Sequence, residues 1–184
     1  LPQHINVFIA EIIDTGLIDE MQAEVINRLR ERGVLGPETR MIPARYDTRV
    51  EFGMTNLDHF GFRILMPQHR WPHQAHPHTG WSPARFDAAS DAMLLSSLDF
   101  TAALPADVEQ AFSFLPTADG EVNAVRISGS AQLTERSILG ATNAFSGDKI
   151  VPIAPVRLRR GQQAQASIRF TLGAGFSSLR IEAS

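Results

Sequence analysis

The order of apolar and polar residues divides the chain into one helical stretch near its start and many strand-length stretches after it. Ile5, Val7, Phe8 and Ile9 form a short apolar run rich in β-branched residues, as expected of a strand buried on both faces. The run stops at Glu11, and Asp14-Thr15-Gly16 supplies turn chemistry. From about Asp19 the spacing becomes helical. Met21, Gln22, Val25, Ile26 and Leu29 share one side, while Glu24, Asn27, Arg28 and Glu31 lie mostly opposite. Gly33 follows as a helix-ending residue. This reading puts Glu11 at the carboxyl end of a strand, where open α/β sheets bind ligands, and Glu20 in the first helical turn.

Beyond Pro37 the period becomes two. Ala44, Tyr46, Thr48, Val50 and Phe52 fall on one face, with Arg45, Asp47, Arg49 and Glu51 on the other. Strands are predicted again around Met93–Leu104, Val108–Phe114, Val122–Ser130, Gln163–Leu172 and Ser177–Glu182. Turns are predicted at Thr117–Gly120, Arg159–Gln162 and Gly173–Gly175. Short alternating strands at regular turn spacing imply an antiparallel barrel or sandwich. Gly53 to about Ser90 differs: it holds five of the six histidines and both tryptophans, with little periodicity.

Composition narrows the class without naming a function. The 184 residues suffice for one good-sized domain or a domain plus a remnant. A net charge of -3 gives no electrostatic argument for nucleic acid. No apolar stretch approaches the roughly 20 residues that span a bilayer, and no signal-peptide pattern is present, so we expect a soluble, cytoplasmic protein that engages neither nucleic acid nor membrane. Without cysteine, disulfides and thiolate sites are excluded. A parallel inner strand at the very start needs neighbours, and no Gly-x-Gly-x-x-Gly turn precedes it. We therefore expect the C-terminal part of a longer protein.

Glu11 and Glu20, eight residues apart and followed by a helix and Pro37-Glu38-Thr39-Arg40-Met41-Ile42-Pro43-Ala44-Arg45, resemble the double-glutamate loop of the protein arginine methyltransferases. The likeness is closest to the monomethylating branch, whose loop also carries Asp-Thr after the first glutamate. The family's more usual Trp-Met-Gly-Tyr is here Ile12-Ile13-Asp14-Thr15. The resemblance implies a mostly β fold: residues 1–36 as the strand-loop-helix remnant of a class I, Rossmann-like methyltransferase domain, then an antiparallel β-barrel over 37–184. Asp58-His59-Phe60-Gly61-Phe62 resembles the Tyr-Gly-Phe segment of the family's dimerisation arm, an insertion after the first barrel strand that would cover 53–90 and make a homodimer. Trp71 and Trp81 then have two readings, as an interface core or as cover over the barrel.

By the same resemblance Glu11 and Glu20 clamp the guanidinium of a protein arginine, and the methyl donor is S-adenosylmethionine, bound mostly outside this chain. The chemistry suits the residues. A guanidinium stays protonated in proteins, so its charge must be localised before a nitrogen can attack, and two carboxylates can do that. The family's late Thr-His-Trp loop aligns with Asn143-Ala144-Phe145, making Asn143 and Phe145 the candidate substrate-binding residues. Ala144 in place of histidine leaves open another amine substrate or a non-catalytic binding and dimerisation relative. Trp71-Pro72-His73-Gln74-Ala75-His76-Pro77-His78 admits solvated loop histidines or, with His69, a metal-binding barrel protein.

Overall fold

The computed structural model describes residues 5–70, 85–140 and 147–184. The elements in order are β1 (Val7–Ile9), α1 (Gln22–Glu31), β2 (Arg40–Ile42), β3 (Arg45–Thr55), β4 (Asp58–His59), β5 (Phe62–Arg63), β6 (Gln68–Arg70) and β7 (Phe86–Ala88). They continue with β8 (Met93–Asp99), β9 (Asp107–Phe114), β10 (Gly120–Thr134), β11 (Ser137–Gly140), β12 (Asp148–Leu158), β13 (Ala164–Thr171) and β14 (Arg180–Ala183).

Alternation decides how these strands pack. In β3 the buried residues are Tyr46, Thr48, Val50 and Phe52, the face read from the sequence, with Gly53 and Thr55 buried beyond them. In β13 they are Ala164, Ala166, Ile168 and Phe170. β3 belongs to a seven-stranded sheet ordered β6-β12-β10-β3-β7, with β11 also on β10 and β8 also on β3. β13 is the centre of a three-stranded sheet, β14-β13-β9. The two sheets share one core: Val50, Phe52, Val125 and Ile127 from the first meet Val108, Phe112, Ile168 and Phe170 from the second. Phe52 stacks on Phe114 across it at 5.1 Å between ring centroids. Pairing within both sheets is antiparallel. The mostly β class is as expected, but among the described residues the strands form separate sheets and no closed ring.

A second cluster seats the helix. Leu17, Ala23 and Ile26 pack with Met41, Tyr46, Leu98, Phe100, Leu104 and Ala131, so α1 lies against the strands rather than apart from them. Gly33 has φ +69 and Val34 N–H bonds the Leu29 carbonyl, which closes the helix as its spacing predicts. No helix among the described residues is long and apolar enough to cross a membrane.

β1 departs from expectation. It pairs in parallel with β2 alone, through Val7–Arg40, Phe8–Met41 and Ile9–Ile42. Val7 is 48% and Ile9 72% exposed, because the face they share is uncovered, whereas Phe8 on the other face packs against the cluster beneath the helix. β4 and β5 form a small hairpin whose tip places Phe60 (φ 52) and Gly61 (φ 85) in left-handed conformations. Phe60, Phe62, Leu65 and Met66 are all exposed there. Trp71, Trp81, His73, His76 and His78 lie outside the described residues.

Candidate functional site

The loop from Ala10 to Met21 is organised by a carboxylate the sequence reading had taken only as turn chemistry. Asp14 is buried, and its two oxygens accept backbone N–H groups from Ile18 (3.2 Å), Asp19 (3.2 Å) and Glu20 (3.0 Å). One short side chain thus satisfies three successive donors and folds the chain back on itself. A single 3-10 turn, Thr15–Leu17, fits inside this wrap, with Gly16 at φ 84. The amphipathic helix therefore begins at Gln22, and Glu20 stands just before it instead of in its first turn. What fixes the Glu20 backbone is the Asp14 side chain, not a helical hydrogen bond.

Further contacts lock the loop from both ends. Gln22 accepts the Ile12 N–H at 3.1 Å and donates to the Ala10 carbonyl at 3.4 Å, bridging the two stems. Ala10 N–H bonds the Ile42 carbonyl, extending the β1–β2 pairing up to Glu11. From below, the Tyr46 hydroxyl accepts from Gly16 N–H (3.3 Å) and donates to the Asp14 carbonyl (3.4 Å). Burial pushes that phenol far above its ordinary range. On the far side, Gly173 and Gly175 donate to the Leu17 and Ile18 carbonyls at 3.1 and 2.8 Å. A Cβ at Gly173 would stand 3.2 Å from Met21 Cα, so this glycine turn, followed only by the single 3-10 turn Phe176–Ser178, is shaped to receive the loop.

Charge completes the arrangement. Lys149, at the start of β12, is fully buried, and its ammonium contacts Asp14 and, at 2.9 Å, Asp19. The ammonium also sits 4.8 Å from the centroid of the Phe176 ring. Removing one partner of a buried pair costs about 3–5 kcal/mol, because the other charge is left in a dry site. On the opposite face of the same sheet, Arg126 pairs with Glu51, lies 3.9 Å from Asp148 and covers the Phe86 ring. Burial raises the Asp148 carboxyl, and Arg126 and Arg70 draw it back.

Glu11 and Glu20 both lie exposed at the mouth of this loop. The Glu20 carboxyl is raised above its ordinary value, first by partial burial and then by the Asp14 and Glu11 carboxylates, with Lys149 opposing. The two glutamates are thus close enough to feel one another's charge. Asn143 and Phe145 lie outside the described residues; Gly147, the next described residue, has its carbonyl bonded by Thr15 Oγ1 at 2.8 Å. His69 is on β6, and its imidazole is lowered by burial and by Lys149, with Asp19 and Asp14 acting against that. Among the described residues no three side chains are grouped to hold a metal ion.

Lys149 and the role of Asp14 escaped the sequence reading. One signal was available for the first: Lys149 is the single lysine of the chain, whose every other strong cation is an arginine.

No family model matches the sequence. An uncharacterised protein of Methanocaldococcus jannaschii is 19% identical over 176 residues, covering 96% of this chain. This chain spans only 60% of that relative's length. Among solved structures, a chain of the Trypanosoma brucei PRMT1 enzyme–prozyme heterotetrameric complex with AdoHcy superposes over 100% of this chain and 68% of its own, with a TM-score of 0.68 and 13% identity. At that identity the likeness establishes the fold: this chain is built as the greater part of a chain of that arginine methyltransferase complex is built.

Proposed function

We propose that the chain is the acceptor-binding and dimerisation portion of an S-adenosylmethionine-dependent protein arginine N-methyltransferase, and that it is inactive without a cofactor domain. The observation that supports this reading is the pair of exposed glutamates, Glu11 and Glu20, at the two ends of the Asp14-wrapped loop after β1, near enough for the charge of one to act on the other. Each would accept bidentate charge-assisted bonds from the guanidinium, worth about 1.5–3 kcal/mol apiece when well formed. Displacement at a sulfonium methyl needs little beyond alignment and charge placement, which a prearranged carboxylate pair supplies. The raised Glu20 carboxyl suits it to take up the proton that the methylated nitrogen releases.

Residues 1–36 would end the cofactor domain, with the exposed face of β1 meeting the rest of that domain, and 37–184 would form the other wall of the substrate groove. Asn143 and Phe145 would complete the groove. The apolar hairpin around Phe60 and Phe62, within the segment 53–90, would join two subunits in a cytoplasmic homodimer. The second reading, a non-catalytic relative that only dimerises, draws support from that hairpin and from Ala144 in place of histidine.

The deciding experiment joins this chain to its cofactor domain and follows methyl transfer from S-adenosylmethionine to an arginine-rich peptide. Transfer that disappears in Glu11→Gln and in Glu20→Gln, with the fold and the dimer retained, supports the clamp. Transfer untouched by Glu11→Gln removes it, and a stable dimer with no transfer at all selects the non-catalytic reading.

A further inference from the structure

The chain's only lysine lies where its charge meets the loop of the candidate site. Lys149 projects from β12 on the side of Ile127, its partner in β10, toward the loop and away from the Arg126–Glu51 pair. Its ammonium is enclosed by Asp14 and Asp19 of the loop and the Phe176 ring, with His69 of β6 paired opposite it in the strand register. Asp14 in turn holds the N–H groups of Ile18, Asp19 and Glu20. Sheet, ammonium, Asp14 and the Glu20 backbone therefore form one continuous chain of contacts.

We propose that Lys149 is a positioning residue for the acceptor carboxylates: it pins the Asp14 wrap to the sheet and holds Glu20 at the geometry and charge that a cationic acceptor requires. This rests on reading Glu11 and Glu20 as the clamp. The residue type fits the task. A lysine ammonium is a compact point charge that two carboxylates and a ring face can enclose, whereas the broad guanidinium of arginine needs a planar fork of acceptors. Apart from the histidines, every other basic position in the chain is arginine, and this enclosed one is not. The charged groups that bear on Glu20 are Asp14, Glu11 and Asp19, which push its carboxyl up, and Lys149, which alone among them pulls it down. Loss of the ammonium leaves three carboxylates acting on the fourth.

The test is a carbon-detected NMR titration of the Glu20 carboxyl in this 184-residue chain, unmodified and as Lys149→Met, with amide exchange at Ile18, Asp19 and Glu20 followed in the same samples. In Lys149→Met the Glu20 midpoint is expected to move up, and the three amides to exchange faster. A folded Lys149→Met chain with an unmoved Glu20 midpoint overturns the proposal. If that variant does not fold, Lys149→Gln decides instead, since it removes the charge while keeping a polar group for Asp14 and Asp19. Its Glu20 midpoint should likewise rise, and a midpoint that stays or falls overturns the proposal. In the complete enzyme, Lys149→Met should move the acid limb of the methyl-transfer profile to higher pH, a change that mere loss of stability would not produce. The two readings fail separately. A moved Glu20 midpoint beside an enzyme that transfers no methyl group sinks the clamp and leaves the tie, whereas active enzyme with an unmoved limb sinks the tie alone.

Discussion

Gly129 on β10 is the position where a single methyl group should disturb the loop from a distance. An added Cβ there would stand 3.0 Å from Cε1 of Tyr46, 2.5 Å from Cζ and closer still to the hydroxyl. Tyr46 is only 4% exposed and its hydroxyl is engaged by Gly16 and Asp14, so the ring has no free direction in which to yield. Gly129→Ala therefore forces either an overpacked ring, at about 1–3 kcal/mol, or an expelled one. Expulsion forfeits two hydroxyl bonds at about 1 kcal/mol each and roughly 1.5–3 kcal/mol of ring burial. Overpacking is the cheaper route, so the cost should be about 1–3 kcal/mol. With a urea slope of about 2–3 kcal/mol/M for a chain of this size, the denaturation midpoint should fall by roughly 0.5–1 M. Tyr46→Phe alone should cost about 1–2 kcal/mol, since it leaves the buried Gly16 N–H without its acceptor. The double variant should be less unstable than the sum of the two, by about 1 kcal/mol or more, because the atom in closest conflict has been removed. A Gly129→Ala chain whose midpoint matches that of the unmodified chain, or strict additivity in the cycle, would refute the close packing of Tyr46 beneath the loop.

Three further outcomes follow from other parts of the molecule. Because the folded-state Glu20 carboxyl is raised, ionising it costs the folded chain stability: that contribution is fully present below the unfolded value and lost as pH rises through the folded one. Glu20→Gln should thus raise the thermal midpoint at neutral pH, and the gain should vanish in acid below about pH 4, where both forms are uncharged; an equal gain at all pH values would contradict this origin. An amine-reactive ester should acylate Lys149 in urea but spare it in the native chain, and equal rates by mass spectrometry would deny its burial. If the proposed homodimer forms through the β4–β5 hairpin, Phe60→Asp combined with Phe62→Asp should reduce the light-scattering mass to that of a monomer, since both rings stand exposed there; an unmodified chain that is already monomeric, or a dimer that survives the pair, refutes that interface.

Strands with one dry face were the most legible part of the fold. Tyr46, Thr48, Val50 and Phe52 alternate strictly because one side of β3 meets the core, and the same holds for Ala164 to Phe170 in β13. The beginning of α1 was read too early. The helical spacing starts from about Asp19, but the N–H groups of Ile18, Asp19 and Glu20 are taken by the Asp14 side chain, and apolar spacing cannot distinguish that wrap from a first turn. β1 was read as buried because its composition suits a two-sided neighbourhood, yet β2 alone pairs with it. The proposed glutamate pair rests on local spacing that the sequence displays, whereas the Lys149 contact has no local signal. Pro152 and Pro155 blur the alternation of β12, and its partners lie in a loop at the other end of the chain.

That distance has a consequence for how the molecule comes into being. Asp14 and Lys149 are 135 residues apart, and the glycines that receive Leu17 and Ile18 lie later still. During synthesis the loop emerges first and waits, its buried carboxylate without a counter-charge, until β12 and the Gly173–Gly175 turn have been made. Closing so wide a loop is entropically slow, so the carboxylates that face solvent at Glu11 and Glu20 should be among the last features to become ordered. An incompletely made or partly folded chain would then carry both glutamates without the means to aim them.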